Sequence, residues 1–427
     1  MASCLLVLTN LAFPLAALGV VLGFLFSPRR KLLTHLRAEL QERFGWTPKQ
    51  HLPQQAVWLH CASVGEVNAI RGVIKQLKQI YGRDILITTS TQAGKETARK
   101  NPDVTAAFLA PLDFYPVCKH FIKNANPYRL FVVEREIWPN MLWAAHRAHV
   151  PYAIINGRIS KKSARAYSWV KPLFEKVLSP VAFAALQSDN DAKRYQLIGV
   201  PGDKIYVCGN VKYDTLCQTP AHREQALDLL QRLGWQGHPL LVLGSTHPPE
   251  ETMLLRAAPD ILKTGTKILF APRHLERKAE IEQSLVQSRL RFAFTSQETF
   301  DPHTDIVCAD TMGMLQAWYA CASLCFVGGS VAPCGAHNLL EAAILGKTVL
   351  FGKHFYNTPE TARALLESGG GVLVNQTNFK ETVLRLLADR EQLDNMNQKA
   401  RQTALHFKGA TDKIRGIIEA YEHKTTA

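Results

Sequence analysis

The chain has 427 residues, of which 47% are hydrophobic and 20% charged, and this composition excludes a disordered or fibrous protein. Its formal net charge of +14 predicts an anionic partner. Because the basic residues are spread along the chain, we expect phosphorylated substrates or an anionic membrane surface and no nucleic acid. The nine cysteines include no CxxC pair and no zinc-type spacing with histidine, which indicates free thiols in a reducing compartment.

The N-terminal segment has the character of a membrane anchor. Residues 4–26 carry no charged side chain and are followed at once by Arg29, Arg30 and Lys31. About 20 apolar residues span the hydrocarbon core of a bilayer, and positive residues after such a segment keep the following chain on the cytoplasmic side. We therefore predict an anchor over residues 1–30, spanning the membrane or embedded in one leaflet. A signal peptide or a buried core helix fits the pattern less well.

Strand-like runs alternate with helical segments through the rest of the chain, which is typical of βαβ units that form a parallel sheet. The runs form two series, 57–61, 85–89, 130–133, 152–156 and 183–186, then 240–243, 267–270, 324–327, 348–351 and 371–374. The polar stretch 215–223 separates them. We predict an α/β protein with two Rossmann-like domains, at 31–214 and 215–395, and a C-terminal helical segment, 396–427, that could pack back on the first domain.

The stretch Val57–Arg71 begins as an apolar run, turns at small residues and continues as a helix. Such a turn lies at the carboxyl edge of a parallel sheet, where open α/β sheets bind ligands. Glu66 is therefore predicted to sit in the crevice at that edge. The alternative is purely structural, with Ser63 as the helix N-cap and Glu66, three residues later, as its capping-box partner.

Further polar groups follow strands of the first domain. Glu134 and Glu136 come directly after a strand, and Glu134, which is nearer to the sheet edge, is expected to face the crevice. Lys212 lies near the hinge between the domains, where a cation could neutralise charge that appears on a departing phosphate.

In the second domain, a glycine-rich turn at 328–330 follows a strand and leads to a helix that begins near Asn338. Glycines let a ligand approach the backbone, and free amides at a helix start favour an anion by ~0.3 to 1 kcal/mol each. This pattern suits a phosphate, with Glu341 accepting hydrogen bonds from ribose. Arg273, after another strand, could hold a phosphate or carboxylate with its planar guanidinium. The alternatives are a tight turn capped by Asn338 and a solvated arginine.

Motifs around these residues resemble, in order and approximate spacing, those of 3-deoxy-D-manno-octulosonic acid (Kdo) transferases. They are SVGE (63–66), EREIWPN (134–140), NGRIS (156–160), GNVKYD (209–214), APRH (271–274), DTMGML (310–315), and GGS (328–330) with HNLLEAA (337–343). The resemblance extends along nearly the whole chain and includes the apolar N terminus.

The resemblance implies a GT-B glycosyltransferase, with two Rossmann-like domains facing across a cleft. Such an enzyme moves Kdo from CMP-Kdo to a lipid A precursor (lipid IVA) in lipopolysaccharide biosynthesis, at the cytoplasmic face of the bacterial inner membrane. By this resemblance Glu66 is the general base, and Glu134 and Lys212 support the transition state. Transfer is implied to be inverting, with no metal ion and no cofactor beyond the donor substrate. The residues implied for the CMP pocket are Pro272, Arg273, Met312, Gly313, Met314, Asn338, Leu339, Leu340 and Glu341.

Two positions depart from the family pattern. Arg135 stands where threonine is frequent, and it is expected to pair with Glu134 or to reach an anionic ligand. Leu339 stands where proline is frequent, which removes a residue favoured in the first helical turn. Neither departure removes a proposed functional group.

The sequence leaves two other functions open. One is a GT-B transferase that uses a UDP-sugar, which the relative affinities for CMP and UDP would distinguish. The other is a non-catalytic, membrane-anchored binding protein. No feature of the sequence specifies an oligomeric state or the number of Kdo residues added.

Overall fold

The computed structural model describes residues 39–216 and 222–426. The chain forms two compact units: unit 1 contains the residues up to Thr215 together with those from Lys408 onward, and unit 2 contains Leu216–Phe407. The predicted anchor, residues 1–30, lies outside the described residues. Within the described ranges, no helix has both the length and the apolar character needed to cross a bilayer.

Unit 1 is built on a parallel sheet. In chain order its strands are β1 (Val57–Cys61), β2 (Ile85–Thr89), β3 (Ala106–Leu109), β4 (Arg129–Val133), β5 (Tyr152–Gly157), β6 (Ala184–Leu186) and β7 (Ile205–Val207). Within the described residues the sheet has seven strands in the order β3-β2-β1-β4-β5-β6-β7. Its helices before unit 2 are α1 (Val64–Ala69), α2 (Arg71–Tyr81), α3 (Gln92–Arg99), α4 (Tyr115–Ala125), α5 (Pro139–Arg147), α6 (Lys161–Trp169), α7 (Lys171–Leu178) and α8 (Asp189–Leu197).

Helices cover both faces of this sheet, which explains why its central strands are buried along their whole length. Trp58 of β1 packs into an apolar layer with Phe121 on one face. Leu59, the next residue, belongs to the layer on the other face together with Val67 and Ile74. All five residues of β1 are consequently buried.

Unit 2 repeats this architecture. Its strands are β8 (Leu240–Thr246), β9 (Lys267–Pro272), β10 (Phe292–Phe294), β11 (Ile306–Cys308), β12 (Leu324–Val327), β13 (Val349–Phe351) and β14 (Gly371–Leu373). Within the described residues they form a seven-stranded parallel sheet in the order β10-β11-β9-β8-β12-β13-β14. The helices are α9 (Arg223–Arg232), α10 (Pro248–Leu262), α11 (Lys278–Ser288), α12 (Leu315–Cys321), α13 (Leu340–Ala343), α14 (Pro359–Ser368), α15 (Phe379–Ala388) and α16 (Arg390–His406).

Each sheet has a switch point beside its first strand, and in unit 2 the chain also turns back once to place β11 between β9 and β10. In unit 1 the chain moves from β1 outward to β3 and then returns to place β4 on the other side of β1. In unit 2 the same reversal falls between β8 and β12. Ligands of open α/β sheets bind beyond the carboxyl ends of the strands at such switch points.

The boundaries of the units differ from the predicted ones. The first lies after Thr215, one residue beyond the predicted end at 214. The predicted boundary at 395 falls inside α16, which belongs to unit 2, since its Asn397 Oδ1 accepts the N–H of Thr348 at 2.7 Å.

The chain returns to unit 1 through α17 (Ala410–Thr426), which places Ile414 and Ile418 in the apolar layer of that unit. The Asp214 carboxylate accepts the N–H groups of Gly409 and Thr411, both at 2.6 Å, and so fixes the start of the helix. The acidic residue of the GNVKYD motif therefore has a structural role.

Candidate active site

Glu66 lies where β1 is followed by α1. Ser63 is the N-cap of α1, and its Oγ accepts the Glu66 N–H at 3.4 Å. Glu66 Oε2 accepts the N–H of Ala62 at 2.6 Å, one residue earlier than in a capping box, where the glutamate bonds the N-cap residue itself. Ser63 is thus a helix N-cap, as the structural alternative predicted. Glu66 Oε1 makes no hydrogen bond to any residue that the structure describes.

The surroundings of Glu66 favour its protonated form. The residue is 7% exposed, and burial raises the pKa of its carboxyl to about 7, although the hydrogen bond from Ala62 acts to lower it. The charges of Glu134 and Glu136 raise this pKa further, and Arg135 lowers it. A carboxyl with a pKa near 7 can take up a proton efficiently at neutral pH, as a general base must.

Glu134 follows β4 in a strained conformation. Its φ of 56° is in the left-handed region, as is the φ of 53° at Asn156 in the neighbouring strand β5. Arg158 Nε donates to Glu134 Oε2 at 2.7 Å, and Asn156 Nδ2 donates to Oε1 at 3.4 Å. The ion pair expected for Arg135 is therefore made by Arg158, and Arg135 is exposed.

Lys212 is connected to Glu134 through Asn156. It lies in a short 3-10 turn, Val211–Tyr213, that follows β7. The Val211 N–H donates to Asn156 Oδ1 at 3.2 Å, while the other end of the same amide contacts Glu134. The Lys212 side chain is exposed. One asparagine side chain thus contacts both Glu134 and the backbone of the turn that carries Lys212.

Glu136 is the second acidic group after β4. Its side chain is 18% exposed against 10% for Glu134, so it is the more exposed of the two. Which of them faces the crevice stays a prediction. Burial acts to raise the pKa of Glu136, but His60, Trp138 and Arg135 stabilise its charged form and the net effect lowers its pKa. Glu66 and Glu136 thus have pKa values shifted in opposite directions, which separates a proton acceptor from a neighbour whose charged form is favoured.

In unit 2 a buried carboxylate occupies the glycine-rich turn after β12. Glu250, in the first turn of α10, is 0% exposed. Its oxygens accept hydrogen bonds of 2.9 to 3.3 Å from the backbone N–H groups of His247, Gly329, Ser330, Val331 and Ala332. A Cβ on Gly328 would overlap the Ser245 carbonyl and crowd this carboxylate. Glu250 thus already occupies the backbone amides of this turn, and the approach of a ligand phosphate stays a prediction for the helix start near Asn338.

The helix predicted near Asn338 is only one turn long. It spans Leu340–Ala343, and the Leu340 N–H is bonded to Asn338 Oδ1 at 3.2 Å. Asn338 Nδ2 also donates to Glu341 Oε1 at 3.2 Å. Leu339 and Leu340 are completely buried, whereas Asn338 and Glu341 are partly exposed. Only these two polar side chains of the segment can therefore contact a ligand.

The other residues implied for the CMP pocket lie at element ends. Pro272 is buried and ends β9, and Arg273 after it is exposed. Met312 is 77% exposed, Gly313 has a φ of 90°, and Met314 is the N-cap of α12.

Histidines from three strand ends meet at the switch point of unit 2. His247, the N-cap of α10, stacks on His337 with ring centroids 5.6 Å apart, and their Nε2 atoms are 3.3 Å apart. His274 lies edge-on to His247 at 5.5 Å. Burial lowers the pKa of His247. In the described part of the chain, no group of three or more His, Cys, Asp or Glu side chains could hold a metal ion.

Glu250 and His247 were not predicted, although the sequence carries a signal for them. His247 and Glu250 are three positions apart at the helix start after β8, as Ser63 and Glu66 are at the helix start after β1. An N-cap residue and a glutamate three positions later mark a helix start, and this pattern occurs after the first strand of both sheets.

The fold and the site define a GT-B-like α/β protein. A solved glycosyltransferase structure from Rickettsia africae matches it with a TM-score of 0.58 at 13% identity, covering 87% of this chain and 98% of that one. Residues 38–215 match the family described as 3-Deoxy-D-manno-octulosonic-acid transferase (kdotransferase).

Two relatives named 3-deoxy-D-manno-octulosonic acid transferase extend this match. The one from Haemophilus influenzae is 30% identical over 393 residues, covering 90% of this chain and 92% of the relative. The one from Chlamydophila psittaci is 31% identical over 387 residues, covering 89% and 88%. The chain therefore belongs to the Kdo transferase family and is an enzyme that transfers Kdo.

Proposed function

We propose that this enzyme transfers Kdo from CMP-Kdo to lipid IVA, with inversion and without a metal ion or further cofactor. Membership of the Kdo transferase family supports the transferred group. The observation that carries the acceptor chemistry is Glu66, a carboxylate at the switch point of unit 1 whose pKa is raised to about 7 by burial. Its Oε1 makes no hydrogen bond within the described residues and is left for an acceptor hydroxyl.

In the proposed reaction, an acceptor hydroxyl gives its proton to Glu66 while its oxygen forms a bond to the anomeric carbon of Kdo. The bond from that carbon to the phosphate oxygen breaks, and CMP leaves with the electron pair. A hydroxyl is a weak nucleophile at pH 7, and a positioned base contributes typically ~10²- to 10⁴-fold. Lys212 supplies positive charge for the departing phosphate. Glu134, held by Arg158 and Asn156, supports the charge that develops on the sugar.

Unit 2 is the proposed donor site. Since Glu250 occupies the amides of residues 329–332, side chains must bind the anionic groups of CMP-Kdo. Arg273 and the imidazoles of His247 and His337 are the groups at this switch point that can bind phosphate or carboxylate. Met312 with its neighbours, and the segment 338–341, would contact the rest of CMP.

We further propose that the enzyme is anchored at the cytoplasmic face of the bacterial inner membrane. The uncharged segment 4–26 and the basic residues after it support this placement. The net charge of +14 would draw the protein toward anionic lipids and toward an acceptor that carries phosphates.

The test is a reaction of the full-length protein in detergent with CMP-Kdo and lipid IVA, analysed by mass spectrometry. We expect a lipid product that has gained Kdo, no product with UDP-hexosamines, and no loss of product with EDTA. Glu66→Gln should lower kcat by ~10²-fold or more while CMP affinity is unchanged.

Three outcomes would contradict the proposal. Tight binding of UDP with no binding of CMP would exclude the donor. Full activity of Glu66→Gln would exclude the assigned base, and CMP-Kdo binding without any product would indicate a binding protein.

A further inference from the structure

His60 is a polar residue in the middle of an apolar strand. It lies in β1, six positions before Glu66, and its side chain is 0% exposed. A buried imidazole needs partners for both ring nitrogens. Nδ1 lies 3.0 Å from Thr88 Oγ1, but Nε2 has no hydrogen-bond partner among the described residues. A buried, unsatisfied N–H is costly, so this side chain is expected to have a role beyond packing.

The hydrogen bonds of Thr88 determine which nitrogen of His60 carries the proton. Thr88 Oγ1 accepts the indole N–H of Trp58 at 2.9 Å. The hydroxyl has one hydrogen of its own, and His60 Nδ1 is the acceptor within reach. In neutral His60, therefore, Nδ1 accepts from Thr88 and Nε2 carries the hydrogen.

That Nε2–H faces the carboxylate of Glu136. Glu136 Oε2 is 3.7 Å from His60 Nε2, just beyond hydrogen-bond distance. The same oxygen accepts the indole N–H of Trp138 at 2.8 Å, and the Trp138 ring packs edge-on against His60 with centroids 4.5 Å apart. A shift of Glu136 by less than 1 Å would complete a chain from Trp58 through Thr88 and His60 to Glu136.

We propose that His60 is a positioning residue for Glu136, and that it holds this carboxylate beside Glu66 through its Nε2–H. The inference rests on the proposed role of Glu66 as the base. A negative charge fixed at position 136 makes loss of a proton from Glu66 less favourable, and so makes Glu66 a stronger base. His60 acts through Glu136, and Glu136 acts through its charge on Glu66; neither needs to touch substrate.

The charged and titratable groups around this pair all bear on the experiment. Glu66 faces Glu134, Glu136, Arg135 and the buried thiol of Cys61. The hydroxyls of Tyr167 and Tyr195 lie in the field of Glu136 as well, and burial raises the pKa of both. A limb of the pH–rate profile near neutral pH is therefore expected to report Glu66.

The experiment compares His60→Asn with His60→Gln. The amide of asparagine can replace Nδ1 at Thr88 but cannot reach Glu136, whereas the longer glutamine can place an N–H where Nε2 lies. With CMP-Kdo and lipid IVA, we expect His60→Asn to lower the plateau of kcat/KM by about fivefold and to move its acid limb down by about 0.5 pH unit. His60→Gln should restore most of both.

The Glu136→Gln background makes the test specific. Glu136→Gln alone should also move the acid limb to lower pH, because it removes a charge that raises the pKa of Glu66. In that background, His60→Asn should change kcat/KM by less than about twofold, since the two side chains act as one unit. A full fivefold effect there, or equal losses in the asparagine and glutamine variants, would overturn the proposal.

Two controls distinguish a failure of the His60 proposal from a folding defect and from a wrong assignment of Glu66 as the base. If His60→Asn does not fold, Thr88→Val removes the hydroxyl that makes Nδ1 the acceptor, so Nε2 need no longer carry the hydrogen and the acid limb should again move down; an unchanged limb would overturn the proposal. Full activity of Glu66→Gln refutes the proposed base. An inactive Glu66→Gln together with unaltered His60→Asn profiles refutes only the role of His60.

Discussion

Glu66 and Glu250 occupy equivalent positions in the two units, and their surroundings differ completely. Each is the third residue of the helix that follows the first strand of its sheet, and each lies at the switch point. Glu250 accepts hydrogen bonds from the amides of His247 and residues 329–332. Glu66 accepts one backbone N–H, from Ala62, and faces the carboxylates of Glu134 and Glu136.

The comparison shows how one local motif can serve either stability or chemistry. Five amides satisfy the charge of Glu250 and make it part of the scaffold. The charge of Glu66 is left poorly compensated, which is why its pKa is raised and why it can take a proton. The other polar groups follow this division: carboxylates gather at the edge of unit 1, whereas histidines and Arg273 gather at that of unit 2.

The largest effect that tests this contrast is the pH dependence of turnover. Because Glu66 acts as a base only when ionised, and its pKa is about 7, kcat/KM should fall tenfold per pH unit below that value. At pH 5 this gives a loss of about 100-fold. The measurement is a pH–rate profile at saturating CMP-Kdo. A flat profile between pH 5 and 8 would mean that Glu66 is ionised throughout and that the contrast with Glu250 is false.

Next in size is the effect of Glu250→Gln on the stability of unit 2. The neutral amide presents one oxygen to amides that two charged oxygens now satisfy, so the loss should be about 2 to 4 kcal/mol. Hydrogen exchange of the segment 327–332 measures it locally. Glu367→Gln, on an exposed site of the same unit, should change exchange little. Equal protection in both variants would show that Glu250 is not needed by the scaffold.

A smaller effect is expected on the binding of CMP to unit 2. Arg273→Gln removes an exposed guanidinium that we assign to the donor, and it should weaken CMP binding about tenfold. Arg256→Gln makes the same change of charge at an exposed site on α10 and should leave CMP affinity unchanged. Titration calorimetry with CMP compares them. If both variants weakened CMP binding equally, Arg273 would contribute only a nonspecific attraction between positive charge on the protein and CMP.

The smallest effect concerns the stability of unit 1. A carboxyl whose pKa is raised from its ordinary value to about 7 destabilises the fold progressively as pH rises between these values. Glu66→Gln should therefore unfold at a higher temperature than the wild type at pH 8 and at the same temperature at pH 4. This difference should disappear as the pH falls to 4, where Glu66 is largely protonated in both the folded and the unfolded protein. Calorimetry with Glu96→Gln as the exposed control tests it; a less stable Glu66→Gln at pH 8 would contradict the explanation.

Central strands could be predicted from the sequence, but some short strands at or next to a sheet edge could not. β1, β2 and β8 are apolar runs that stand out because both faces of the sheet are covered. β10 and β11 are three residues long and carry no such pattern. β11 exists because its backbone pairs with β9, a contact that local sequence does not encode.

The site could be predicted only where position along a strand was informative. Glu134 was identified because it directly follows a strand, and Glu66 because it lies at the turn from a strand into a helix. The partners of Glu250 lie 79 to 82 positions away along the chain for the four residues of the turn, so spacing could not connect them. His60 was not recognised because its importance depends on Thr88 and Glu136, which other strands bring beside it.

The helix α17 has a consequence for the order in which the protein is made. Unit 1 contains the early part of the chain and also Lys408 onward, and its apolar layer includes Ala410, Ile414 and Ile418, all essentially buried. A ribosome therefore releases the sheet that carries Glu66 well before the helix that completes its covering. During synthesis, part of the apolar surface of unit 1 therefore stays exposed until all of unit 2 has been translated. A chaperone would be most useful during that interval.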